Sequence, residues 1–223
     1  MYEKILEELD SEGLRTVFLK YTIEAFNSLP KIDNPRILDV GCGTGQPSLE
    51  LYKLSDGEVY AIDIDEDALN KFKLKIKQNG LSDRLKVYNN SIYKTQFDDE
   101  MFDIIWEEGV FHLLKIKKAL NECRRVLKLN GFMVSGETAV WKGKNLKNFP
   151  KYGFKLVKEI RWEKGCWWTD YYAPLENRII MLKNKYGNIE NIKQIRRHLD
   201  EIEMVKKNIN AFDCTTYIMQ KIE

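Results

Sequence analysis

Residues 37 to 45 read Ile-Leu-Asp-Val-Gly-Cys-Gly-Thr-Gly, a short apolar run carrying one acid and then glycine on three alternate positions. Ile37, Leu38 and Val40 are β-favouring and bounded by turn residues, as a parallel strand buried on both faces requires. Gly41, Gly43 and Gly45 allow a sharp turn and bring the backbone close to a ligand with no Cβ in the way. Pro47 stands where the first turn of a helix tolerates proline, and Leu49, Leu51 and Leu54 continue an apolar face. The segment predicts strand, glycine loop and helix in succession.

Glycine spacing separates two nucleotide-binding settings for such a loop. A dinucleotide fingerprint needs a further glycine three positions after Gly43, where its helix packs closely on the strand. This chain has Gln46 there. The G-x-G-x-G form, with Asp39 two residues ahead of the first glycine, resembles motif I of the class I S-adenosylmethionine-dependent methyltransferases. The elements that follow extend the resemblance from about Pro35 to Glu137. Val59 to Ile62 is a second apolar run ending at Asp63, where a carboxylate can accept from ribose hydroxyls. Leu85, Val87 and Tyr88 make a third strand, followed by Ser91 and Ile92. Phe102 to Trp106 looks like the family's fourth strand, and Arg125 to Phe132 like its helix, turn and fifth strand.

The resemblance implies a Rossmann-like, doubly wound α/β fold. Its sheet would have seven strands, the last one antiparallel, with a helical insertion before it. It also implies S-adenosylmethionine as cofactor and S-adenosylhomocysteine as product. Asp39, Gly41, Cys42, Gly43, Gly45 and Gln46 would line the cofactor at the loop. Asp63 and Ile64 would meet its ribose, Ser91 and Ile92 its adenine, and Glu107 its methionyl end. Ser91 departs from the family's usual aspartate, so the backbone contact to the base is retained and the side-chain contact stays open. Arg15 and Tyr21 are expected to close over the cofactor's carboxylate.

Outside the sheet, the chain is read as one domain over 1–223, with an N-terminal helical cap at 1–34. Leu14, Val17, Phe18, Tyr21, Ala25 and Phe26 share one face of that cap. Asp65 is expected to cap the helix carrying Ala68, Leu69, Phe72 and Ile76, and Asn79-Gly80 to end it. Residues 155–162 and 215–222 alternate as two strands. Between them lies an insertion, 163–213, that opens on Cys166-Trp167-Trp168-Thr169-Asp170-Tyr171-Tyr172 and becomes helical over 175–186 and 190–208. This aromatic patch fits a lid over the sheet's carboxyl edge, a satellite core or a homodimer contact; the lid is the expectation, with Trp168, Tyr171 and Tyr172 facing the acceptor.

Chemistry must be argued from what methyl transfer needs: in-line positioning, exclusion of water and, for some acceptors, removal of a proton. His112, in the segment after the fourth strand, is the candidate general base, since imidazole titrates near neutral pH. A structural role at the start of the next helix is its alternative. His198, flanked by Arg196 and Arg197, is expected on a solvated surface. Glu108 is assigned to the acceptor or to a lysine partner. Acids and aromatics together favour a cationic or amine acceptor.

A net charge of +2 gives no general case for nucleic acid or an acidic membrane. The lysines and arginines of the insertion are interleaved with acids, so a solvated helix face accounts for them. A small-molecule acceptor is therefore expected; transfer to RNA or DNA, and cofactor binding without transfer, are the alternatives. Residues 1 to 20 carry acids where a signal peptide needs an apolar core, which points to the cytoplasm. The four cysteines show no metal-ligand spacing, so reduced thiols and no metal are expected.

Overall fold

The computed structural model describes residues 1–81, 83–139, 141 and 146–222, apart from the side chain of Asn148. Its helices are α1 (Tyr2–Leu9), α2 (Ser11–Arg15), α3 (Leu19–Asn27), α4 (Gln46–Leu54), α5 (Glu66–Asn79), α6 (Ile116–Val126), α7 (Ala173–Tyr186) and α8 (Lys193–Lys207). Its strands are β1 (Arg36–Val40), β2 (Glu58–Asp63), β3 (Leu85–Asn89), β4 (Phe102–Glu108), β5 (Leu127–Thr138), β6 (Phe154–Arg161) and β7 (Cys214–Lys221). They form one seven-stranded sheet in the order β3-β2-β1-β4-β5-β7-β6. The pairs β3/β2, β2/β1, β1/β4 and β4/β5 are parallel, and β6/β7 is antiparallel.

The chain divides into two compact units: Leu19–Arg161 with Thr215–Glu223, and Met1–Phe18 with Trp162–Cys214. In the larger, alternate residues of each central strand enter different apolar clusters, as the two-residue side-chain period requires. Ile37, Val59, Ala61, Ile104, Trp106 and Val134 pack with Ala25 of α3, Leu51 of α4 and Leu69, Phe72 and Ile76 of α5. Leu38, Tyr60, Ile62, Ile105 and Met133 pack with Ala119, Leu120, Cys123 and Val126 of α6. The sheet is therefore covered on both faces.

Local signals in the sequence are obeyed. Asp65 caps α5 by accepting from the Ala68 N–H at 3.1 Å, and Gly80 closes it in the left-handed conformation at φ 65°. The turn expected between α6 and the fifth strand is instead an irregularity inside β5. That strand starts directly at Leu127, Asn130 sits at φ 64°, and the β4/β5 register shifts between Phe102 and Ile104. Asparagine tolerates this conformation, so the chain bends without leaving the sheet.

The smaller unit joins the N-terminal helices to the insertion. Arg178 of α7 donates to the carbonyl of Leu9 at 3.0 Å and pairs with Asp10 at 3.2 Å, while Lys185 meets Glu8 at 2.8 Å. Phe18 lies 4.4 Å from Trp167 and 5.4 Å from Trp162, measured between ring centroids. Residues 167–172 form a π-helical turn that runs into α7, which begins at Ala173 rather than Leu175. The helix expected over 190–208 occupies Lys193–Lys207. No described helix is long and apolar enough to cross a membrane.

Candidate functional site

Sheet order reverses at β1: the chain moves outward to β2 and β3, then returns to the other side of β1 as β4. Ligands of open α/β sheets bind in the crevice outside the strand carboxyl ends at such a point. Here those ends are the glycine loop after β1, Asp63 on β2, Ser91 after β3, Glu107 and Glu108 on β4, and Glu137 on β5.

The loop is strapped to β2. Gly41 and Cys42 both donate their N–H to the Ile62 carbonyl, at 2.8 and 3.1 Å, and the Gly43 N–H donates to Asp63 Oδ2 at 2.7 Å. Asp63 Oδ1 accepts from the Asp65 N–H at 2.9 Å. Asp63 thus shapes the loop from below, a task the sequence did not disclose. All three glycines have positive φ, but their surroundings differ. A Cβ on Gly41 would come within 2.8 Å of Val110, and one on Gly45 within 2.1 Å of Phe72, whereas one on Gly43 would meet nothing within 4 Å. Gly41 and Gly45 are required by packing. Gly43 is the glycine that leaves open space beside an exposed backbone, as a ligand cradle needs.

Asp39, Glu107 and Glu108 are held from within the protein. Asp39 is buried and accepts from Ser48 Oγ of α4. Burial raises its pKa to about 7 against the pull of that hydrogen bond, with the charges of Glu108 and Asp63 adding to the rise. Expected at the cofactor's methionyl end, Glu107 is fully buried. Its Oε1 accepts from the Val110 and Phe111 N–H groups and its Oε2 from Ser135 Oγ at 2.7 Å. It organises the loop after β4. Among the described residues Glu108 pairs with no lysine; Oε1 accepts from Thr22 Oγ1 of α3 and Trp106 Nε1, each at 2.8 Å. Among the described residues its Oε2 has no hydrogen-bond partner. Burial lifts the Glu108 carboxyl above its ordinary range.

His112 lies on a 3-10 turn (Phe111–Leu113), and its side chain is 45% exposed. Its backbone N–H donates to Glu137 Oε1 at 3.1 Å, and its Nδ1 lies 3.5 Å from Glu137 Oε2. The Glu137 carboxyl beside the ring raises the imidazole pKa above its usual value against partial burial. Glu137 was not singled out in the sequence, although an acid closing the apolar run Phe132 to Val134 is the same signal that marked Asp63. Ile64 is exposed, Ile92 is buried, and the Ser91 N–H turns back onto Asn90 Oδ1 at 2.8 Å. Gln46 opens α4, directly after the glycine loop.

The remaining candidates divide between the two units. Tyr171 and Tyr172 are buried in the smaller unit, 4.8 Å apart edge to face, and Trp167 packs on both. Arg15 lies over the rings of Trp167 and Tyr171, and Lys206 over Trp168. Tyr21 is buried in the larger unit with Lys20 over its ring. His198 is 17% exposed and faces Glu201 at 3.5 Å, so it is less solvated than its charged neighbours suggest. All four cysteines are buried, and none forms a disulfide.

Comparison with known proteins adds the following. The model of a methyltransferase domain family matches residues 38–135, which run from β1 through β5. An uncharacterised protein of Haemophilus influenzae is 35% identical over 103 residues, 45% of this chain and 41% of its own length. The uncharacterised methyltransferase YodH of Bacillus subtilis is 33% identical over 142 residues, 60% of this chain and 58% of its own. The chain thus spans about half the length of these curated relatives. Among solved structures, the [4+2]-cyclase SpnF superposes with a TM-score of 0.77 at 17% identity, covering 91% of this chain and 80% of that one. At that identity the likeness is one of fold.

Proposed function

Since residues 38–135 make this chain a member of the class I S-adenosylmethionine-dependent methyltransferase family, we propose that it transfers a methyl group from that cofactor to a small-molecule acceptor. The observation that carries the proposal is the Gly43–Asp63 pair: a loop held open by a carboxylate that keeps further acceptor capacity on both oxygens. The residues present fit the cofactor. The backbone of 41–45 would lie along it, with Gln46 at the helix entry. Asp63 would accept from its ribose, Ile64 would offer an exposed apolar side chain beside it, and Ser91 with Ile92 would border the base. Acids at neighbouring strand ends suit a positively charged ligand.

When bound, the cofactor supplies a methyl group made electrophilic by its sulfonium. The protein's part is alignment, exclusion of water and proton handling. His112 accepts the proton that an N–H or O–H acceptor loses. Glu108 presents Oε2 to the acceptor, which favours an amine, because a carboxylate stabilises both an N–H donor and the positive charge that develops on nitrogen. Glu107 holds the loop between them through the Val110 and Phe111 amides.

Calorimetric titration with S-adenosylmethionine and S-adenosylhomocysteine tests the first half. Binding by wild type that is weakened in Asp63→Ala supports it, and a folded protein that binds neither ligand removes it. A screen of primary and secondary amines against phenols and thiols tests the second. Methylation confined to neutral phenols or thiols rules out the amine. Cofactor binding with no turnover on any acceptor favours the non-catalytic alternative.

A further inference from the structure

The activity proposed above gives His112 a proton to accept but leaves open what decides which ring nitrogen accepts it. Neutral imidazole carries one N–H and one bare nitrogen, and the partner of one nitrogen sets the state of the other. Glu137, 1% exposed near the end of β5, meets His112 twice, at the backbone N–H through Oε1 and at Nδ1 through Oε2. Among the described residues this buried oxygen has no hydrogen-bond partner, and His112 Nδ1 lies 3.5 Å from it. A carboxylate only accepts, so the Nδ1 beside it carries the hydrogen and Nε2 is left bare.

We infer that Glu137 is a positioning residue that fixes His112 in the Nδ1–H tautomer and thereby makes Nε2 the proton acceptor. The inference rests on the proposed role of His112 as base. Its geometry is independent of any acceptor, because the same carboxylate locks both the turn and the ring. Two further ionisable groups lie in the same region of the fold. Burial, with the nearby Glu137 adding to it, pushes the Glu107 carboxyl of β4 well above the usual carboxylate range. On α6, burial and the charge of Glu107 push the Cys123 thiol up as well, so it stays neutral.

The chain contains two histidines, so a long-range nitrogen–proton correlation spectrum of the intact protein shows two imidazoles, assigned through His112→Ala. The expected result is a His112 ring in the Nδ1–H form above its titration midpoint, with that midpoint above roughly 6.5, the value of a free imidazole. In Glu137→Gln the amide N–H can donate to Nδ1, so the ring should switch to the Nε2–H form and its midpoint should fall, with His198 unchanged. A wild-type ring in the Nε2–H form, or a midpoint unmoved by Glu137→Gln, overturns the inference. The wild-type measurement needs no variant to fold.

Turnover separates this inference from the reading beneath it. With any methylated acceptor, His112→Ala and Glu137→Gln should both lower kcat, by about 10²- to 10⁴-fold, and leave the Kd for S-adenosylmethionine unchanged. If His112→Ala keeps full kcat, the base assignment fails whatever the tautomer. If His112→Ala lowers kcat while Glu137→Gln alters neither tautomer nor rate, the positioning role alone fails.

Discussion

At the scale of single residues, carboxylates of one chemical type are set to different tasks by their neighbours. Asp63 spends one lone pair of each oxygen on a backbone N–H and keeps the others. Replacing it by alanine should weaken S-adenosylmethionine binding by about 1–3 kcal/mol, read by calorimetry; an unchanged Kd takes it out of the site. Asp39 is the opposite case. The folded protein holds its proton up to about pH 7, whereas an unfolded chain releases it near 3.8. The folded state therefore binds more protons between those values, and stability falls as pH rises through that window. Asp39→Asn removes the titration, so the variant should gain stability relative to wild type as pH rises from about 4 to about 7, measured as urea midpoints. A constant difference across that range would contradict the assignment. The sequence marked both acids, but it could not reveal that Ser48 answers one and the loop backbone the other, because those partners come from different elements.

At the scale of elements, the glycine loop shows what a motif states and what it hides. Strand, loop and helix were legible because the apolar run, the glycines and Pro47 are local signals. The reason for each glycine was not. Gly45 is fixed by Phe72 of α5 and Gly41 by Val110 after β4, and both are distant in sequence. This yields a contrast between two substitutions. Gly43→Ala meets no neighbour, so it should cost about 1–2 kcal/mol for its left-handed backbone while weakening cofactor binding. Gly45→Ala adds an overlap with the Phe72 ring, for about 1–3 kcal/mol more. Urea denaturation should rank Gly45→Ala as the less stable, and retained cofactor affinity in Gly43→Ala would undermine the cradle. The cap of α5 is simpler: Asp65→Ala should cost about 1 kcal/mol through the lost bond to the Ala68 N–H.

At the scale of the whole molecule, the five parallel strands could be read from the chain because each is apolar, short and separated by a helical stretch. The smaller unit could not. It is made from two segments far apart in sequence, and no periodicity announces that Phe18 will stack on Trp162 and Trp167, or that Arg178 will cap the carbonyl of Leu9. The aromatic run at 166–172 was visible, but the core it forms depended on partners from the first eighteen residues. Arg178→Ala should raise amide hydrogen exchange in α1 and α7 while leaving β1, β2 and β4 as protected as in wild type. Equal loosening of the sheet would show that the two units do not open separately.

The split composition of the smaller unit also sets a timetable for synthesis. Met1–Phe18 is synthesised ahead of its partners in Trp162–Cys214, which emerge only after the sheet's first six strands have been made. At about 5–20 residues per second, that delay is roughly 7 to 30 seconds. Throughout it, Ile5 and Leu9 present an apolar helical face with nothing yet translated to receive it. Met1–Phe18 thus waits, apolar face uncovered, for a segment made more than a hundred residues later.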